Sequence, residues 1–262
     1  MVDDELWVRR FHPAREGSPR LVCFPHAGGS ATFFQPLSRR LSPEFEVLGV
    51  QYPGRQDRRA EPLFEDVRKL AAAIAGALVP WAGRPWAFFG HSMGAIVAFE
   101  TARLLEGRPG VAPLVRLIAS GRRAPSTFRH ETVHQRDDAG LIAELRQLNG
   151  TENEVFRDEE LLRLVLPAIR GDYRAIETYR GDPEARIGAP VSVFVGDDDP
   201  RVTLEEARAW EAHTEGGFEL HVFSGGHFYL VPGLAETADR IAAVLGRDLA
   251  DASCRTAGRA PA

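Results

Sequence analysis

Six short runs rich in β-branched, aromatic and aliphatic residues alternate along the chain with stretches of helical spacing, and this alternation limits the fold more than any other feature. The runs are Arg20–Phe24, Glu46–Gln51, Trp86–Gly90, Leu114–Ser120, Val191–Gly196 and Glu219–Phe223. Each is strand-length and nearly continuous in apolar character, the pattern of a strand covered on both faces. The helical stretches between or after them are Phe64–Leu78, Met93–Leu105, Leu204–His213 and Leu234–Leu245. Strands and helices in this order imply a mostly parallel central sheet flanked by helices, so the expected class is α/β.

The rhythm breaks between Arg122 and Gly188. No strand is evident there, and Leu141, Ile142, Leu145 and Leu148, then Leu161, Leu164, Val165, Ala168 and Ile169, recur at helical spacing. A helical insertion of about 122–188 between two core strands is expected to cap the carboxyl edge of the sheet as a lid. The chain is read as one α/β domain over 1–246, and 247–262, polar and rich in Ala and Gly, as a disordered tail.

Within that frame, Gly90-His91-Ser92-Met93-Gly94 follows an apolar run and opens a helical one. A GxSxG at a sharp strand-to-helix turn lifts a serine hydroxyl above the sheet, because the glycines keep side-chain bulk away from the turn. A hydroxyl is a poor nucleophile at neutral pH and needs a base. His227, in Ser224-Gly225-Gly226-His227-Phe228 directly after the last strand, is the candidate; His12, His91, His130, His134, His213 and His221 fit less well. A carboxylate must then orient the imidazole. Gly196-Asp197-Asp198-Asp199-Pro200 ends a strand and keeps the chain order Ser, Asp, His expected of this fold. Asp199 is favoured, Asp198 is next, and Asp197 and Asp198 read better as solvated loop carboxylates that cap the following helix or repel each other. The developing oxyanion needs amide donors. Met93, at the helix start, supplies one, and the loop Pro25-His26-Ala27-Gly28-Gly29 supplies the other, from Ala27 or, failing that, Gly28.

Composition removes several classes. With 37 acidic against 32 basic residues and a net charge of −5, nothing attracts nucleic acid or an anionic membrane in general. No uninterrupted apolar stretch reaches about 18 residues. Asp3, Asp4 and Glu5 stand where a secretory signal needs base before an apolar run, so a cytoplasmic location is expected. Cys23 and Cys254 are far apart in unlike surroundings and suggest neither a disulfide nor a zinc site. No Walker or dinucleotide loop occurs, and neither cofactor nor metal is expected.

Taken together, Phe24-Pro25-His26-Ala27-Gly28-Gly29-Ser30, Gln51-Tyr52-Pro53-Gly54-Arg55, Gly90-His91-Ser92-Met93-Gly94, Gly196-Asp197-Asp198-Asp199-Pro200 and Gly225-Gly226-His227-Phe228 resemble the type II thioesterases of polyketide and nonribosomal peptide synthetases. The resemblance implies the α/β-hydrolase fold and hydrolysis of aberrant or short acyl groups from the phosphopantetheine arm of acyl or peptidyl carrier domains. By that likeness Ser92, Asp199 and His227 are the catalytic residues and Ala27 and Met93 the oxyanion amides. Because such carriers are acidic, Arg55, Arg58, Arg59, Arg122 and Arg123, which follow strand ends, are candidates for a docking rim. A chain-releasing thioesterase or a general carboxylesterase would use the same chemistry. A non-catalytic hydrolase scaffold would be expected to lack one of the three catalytic residues, and all are present.

Overall fold

The computed structural model describes residues 4–149 and 159–257. After a short helical turn α1 (Asp4–Trp7), the strands are β1 (Val8–Arg10), β2 (Arg20–Phe24), β3 (Glu46–Val50), β4 (Trp86–His91), β5 (Leu114–Ser120), β6 (Val191–Gly196) and β7 (Phe218–Phe223). The helices that follow α1 are α2 (Gln35–Leu41), α3 (Val67–Leu78), α4 (Met93–Leu105), α5 (Asp138–Asn149), α6 (Glu159–Thr178), α7 (Leu204–Arg208) and α8 (Leu234–Ala257). Among the described residues the strands form one seven-stranded sheet in the order β1-β3-β2-β4-β5-β6-β7. All neighbours are parallel except β1, which runs antiparallel to β3.

The apolar runs are continuous because both faces are covered. Val22, Phe24 and Phe88 point into one core with α3 and α4, and Leu21, Cys23, Ala87 and Phe89 into the other with Leu37 and Leu41 of α2 and Ile241 and Leu245 of α8. Burying each large apolar side chain contributes about 1.5–3 kcal/mol, which suffices to set the register of every central strand. The strand order turns back between β2 and β4, the point at which sites in such sheets open at the carboxyl edge.

Four elements depart from the sequence reading, which holds neither α1 nor α2 among its helices. The strand β1 was not expected, since three residues, two of them arginine, give no apolar run; pairing with β3 alone makes it a strand. The helix α8 continues to Ala257, where a tail was expected from 247. Asp248 takes a bidentate hydrogen bond from the buried Arg116 of β5, at 2.6 and 2.8 Å, and Arg247 holds Glu219 at 2.8 Å. A buried guanidinium requires that carboxylate, so the helix is carried past its apolar stripe. The residues 258–262 lie outside the described chain.

Between β5 and β6 the insertion supplies α5 and α6. Leu141 and Leu145 pack with Leu166, Ile169 and Tyr173 in a small core of their own, and Ala27 contacts both this cluster and the main core. No described helix is long and apolar enough to cross a membrane.

Candidate active site

Ser92 occupies the turn between β4 and α4 with φ 54° and ψ −118°, a left-handed conformation that a serine avoids unless its surroundings impose it. They do so here through close packing. A Cβ on Gly90 would lie 2.6 Å from the Cα of Ala95, and one on Gly94 would lie 2.6 Å from the carbonyl oxygen of Pro25. The amide of Ser92 donates to the carbonyl of Ser120 at 2.8 Å, pinning the turn to the end of β5. His91 and Met93 on either side are buried, while Ser92 keeps partial exposure.

His227 reaches the turn from the loop after β7 and is 3% exposed. Its Nε2 lies 3.0 Å from Ser92 Oγ, and its Nδ1 lies 3.0 Å from both Oδ1 and Oδ2 of Asp199. A carboxylate only accepts, so Nδ1 carries the proton and Nε2 is left to accept from the serine hydroxyl. The Asp199 side chain is fully buried. Its neighbours do other work: Asp197 Oδ1 accepts from the amide of Gly225 at 2.8 Å, and the amide of Asp198 donates to the carbonyl of Gly225 at 3.0 Å. Both therefore shape the histidine loop. Neither caps the next helix, because Thr203 and Glu206 cap α7 reciprocally.

Two further histidines surround this chain. His26 meets Phe33 and Phe228 edge-on at 4.6 and 4.8 Å, and the His91 and His227 rings are 5.2 Å apart. Burial, and then the charge His227 can carry, lowers His26 to about 3 and His91 well below the ordinary imidazole range. Both stay neutral near pH 7, and His91 is tied through Ser120 Oγ, at 2.9 Å, to the hydroxyl of Tyr229, 2.8 Å further on.

The loop after β2 packs against the serine turn, where a Cβ on Gly94 would meet the carbonyl oxygen of Pro25, and Ala27 lies two residues further on. Gly28, the alternative amide, is engaged: it donates to Asp172 Oδ2 of α6 at 2.7 Å. That carboxylate also holds Arg55; burial raises its pKa, while Arg55 and the Gly28 amide oppose the rise. Met93 opens α4, where the helix leaves its first amides without an internal acceptor. Asp172 and Ser120 carried no sequence signal, since a single Asp in an amphipathic helix and a single Ser at a strand end are ordinary.

The expected docking rim is not formed by the arginines singled out for it. Arg55, Arg58 and Arg123 are 7%, 3% and 3% exposed and pair with Asp172, Glu61 and Glu131. Burial and the neighbouring Arg123 push Arg122 down to about 9. Of the five only Arg59 is exposed, because Arg55 and Arg123 are held by carboxylates of the insertion and Arg58 by Glu61 of its own loop.

Residues 19–245 match the thioesterase domain family, and the chain belongs to it. Within the family it falls with the type II thioesterases of polyketide and nonribosomal peptide systems. It is 56% identical over 231 residues to the thioesterase PikA5 of Streptomyces venezuelae, covering 87% of this chain and 82% of that one. It is 54% identical over 244 residues to a probable cadicidin biosynthesis thioesterase of Streptomyces griseus, covering 93% and 67%. The structure of the type II thioesterase BorB from the borrelidin biosynthetic cluster superposes with a TM-score of 0.84 at 51% identity, over 93% of this chain and 98% of that one. The fold is accordingly the α/β-hydrolase fold, and the enzyme class is thioester hydrolase.

Proposed function

We propose that this thioesterase is an editing enzyme that removes aberrant or short acyl groups from the phosphopantetheine arm of carrier domains. The observation that carries the chemical half of this reading is the hydrogen-bonded chain from Ser92 Oγ through His227 to Asp199. Ser92 Oγ attacks the thioester carbonyl as His227 Nε2 takes its proton, and Asp199 stabilises the imidazolium. The amides of Ala27 and Met93 hold the oxyanion. As the tetrahedral adduct collapses, the C–S bond breaks and the imidazolium protonates the departing thiolate. Water, deprotonated by the same histidine, then attacks the acyl-serine, and the carboxylic acid leaves with Ser92 restored. No metal or cofactor enters these steps. The insertion, packed on Ala27, serves as the lid that keeps bulk water from the acyl group.

The carrier half rests on kinship with enzymes of polyketide and nonribosomal peptide systems, which also favours a cytoplasmic location. Turnover on one short acyl group presented by a holo carrier domain and by free pantetheine tests it. The carbonyl chemistry is identical in the two, so a higher kcat/KM on the carrier must come from remote contacts. A gain of about tenfold or more, or about 1.4 kcal/mol, is expected. Equal kcat/KM on both, with comparable turnover of oxygen esters, would make the protein a general esterase or thioesterase.

A further inference from the structure

Beyond Asp199 the chain continues Pro200-Arg201, and Arg201 touches the site in two ways. Its amide donates to Asp199 Oδ1 at 2.8 Å, the oxygen that also faces His227. Its guanidinium reaches away, to Glu131 in the segment after β5 at 2.9 Å and to Glu144 on α5. Arg123 holds the other oxygen of Glu131, and Arg136 holds Glu144 at 2.8 Å. Two carboxylates are thus shared among three guanidiniums, with the side chains of Arg201, Glu131 and Glu144 only 19%, 16% and 10% exposed. On the far side Arg170 of α6 donates to the carbonyl of Arg136, whose side chain holds Glu144, so both insertion helices bear on the network. None of these charges takes part in the acyl transfer.

We propose that Arg201 is a positioning residue that ties the seat of the insertion helix α5 to the orientation of the Asp199 carboxylate. The proposal rests on the reading that Asp199 orients His227. Proline fixes one backbone torsion at position 200, which limits how far the Arg201 amide can swing relative to Asp199. A planar guanidinium can bond two carboxylates at once, which an ammonium group does with poorer geometry. In a partly dry setting each unpaired charge is disfavoured strongly, so α5, Glu131 and the acid loop hold together as a unit. With α5 docked, Asp199 is presented squarely to His227; with α5 undocked, the Arg201 amide loses its place and the carboxylate turns.

The test uses Arg201→Met, Arg201→Lys, Glu144→Gln and the double variant Arg201→Met/Glu144→Gln in the full chain, with an acyl-pantetheine thioester. Three things are read: kcat, KM, and the far-downfield proton resonance of His227 Nδ1–H. Arg201→Met should lower kcat by about 10- to 100-fold, the effect of misplacing a catalytic group by roughly an ångström, with KM within about twofold and the resonance moved. Arg201→Lys should recover only part of that loss, because one ammonium bridges Glu131 and Glu144 with poorer geometry. Glu144→Gln should give a smaller loss in the same direction, and the double variant should be no worse than Arg201→Met, since the two act through one contact. Parent kcat with an unmoved resonance in Arg201→Met overturns the proposal, as do fully multiplicative losses in the double variant. If Arg201→Met does not fold, Glu144→Gln decides, because it keeps size and acceptor and removes only the charge. Labelling of Ser92 by a phosphonate, and the activity of Ser92→Ala, are measured alongside. A dead Ser92→Ala with an indifferent Arg201 series removes only the tether, whereas an active Ser92→Ala removes the mechanism on which it rests.

Discussion

Asp199 presents both carboxylate oxygens to Nδ1 of His227, each at 3.0 Å, from a side chain closed off from solvent. Two acceptors on one N–H leave the imidazole no second tautomer of comparable energy, and the proton-accepting nitrogen is left facing Ser92.

That relationship separates the three consecutive aspartates. Asp199→Asn should lower kcat by about three to four orders of magnitude, because the amide can donate to Nδ1 and stabilise the wrong tautomer. Asp197→Asn should cost little, since its Oδ1 can still accept from Gly225. Steady-state kinetics on a small acyl thioester checks both; a large loss in Asp197→Asn with a mild one in Asp199→Asn would reverse the assignment.

The strain at Ser92 should be visible in stability. Replacing it by glycine, which adopts φ 54° freely, should abolish turnover and yet raise the unfolding free energy by about 1 kcal/mol. Urea unfolding of Ser92→Gly beside Ser92→Ala measures this, because alanine removes the hydroxyl and keeps the strain. A glycine variant no more stable than the alanine variant would mean the turn is unstrained.

The buried histidines set the acid side of the stability profile. His26 titrates at about 3 in the folded chain and His91 well below its usual range, against an ordinary value of 6.5 when unfolded. Their contribution is complete above pH 6.5. Below it the unfolded chain binds protons that the folded chain refuses, so stability falls toward the folded values by up to about 1.4 kcal/mol per pH unit for each histidine. The raised Asp172 acts oppositely, only as the pH falls through its own folded value. Urea midpoints should therefore drop from pH 7 to pH 5, and His26→Gln should flatten the drop. A midpoint constant over that range would be incompatible with neutral buried imidazoles.

The contact of α6 with the loop after β2 should be costly to break. Asp172→Ala strands the guanidinium of Arg55, whose Nε already has no partner, and frees the amide of Gly28. A loss of about 3–5 kcal/mol is expected for an uncompensated buried charge. The double variant Asp172→Leu/Arg55→Met should recover a good part of it, because no charge is left unpaired. Chemical unfolding of the two variants decides; an Asp172→Ala loss under about 1 kcal/mol would show that water reaches Arg55.

The sequence by itself determined the central strands from β2 onward, the helices α3 and α4, the serine turn and the chain order of Ser92, Asp199 and His227. Those features are local: an apolar run covered on both faces, glycines where backbones nearly touch, and functional groups placed at strand ends leave their mark within a few residues. It did not contain β1 or the extension of α8, which exist because Leu48–Val50 and Arg116 offer partners far along the chain. Nor could it sort the charges. Arg55, Arg58 and Arg123 read as surface cations and are buried, because an arginine's fate depends on which carboxylate the fold brings to it, as Asp172 is brought to Arg55 from 117 residues away. The three aspartates after β6 were likewise equivalent in composition. Only the direction in which that loop turns, with Asp197 bound to Gly225 and Asp199 closed beneath His227, made one of them different.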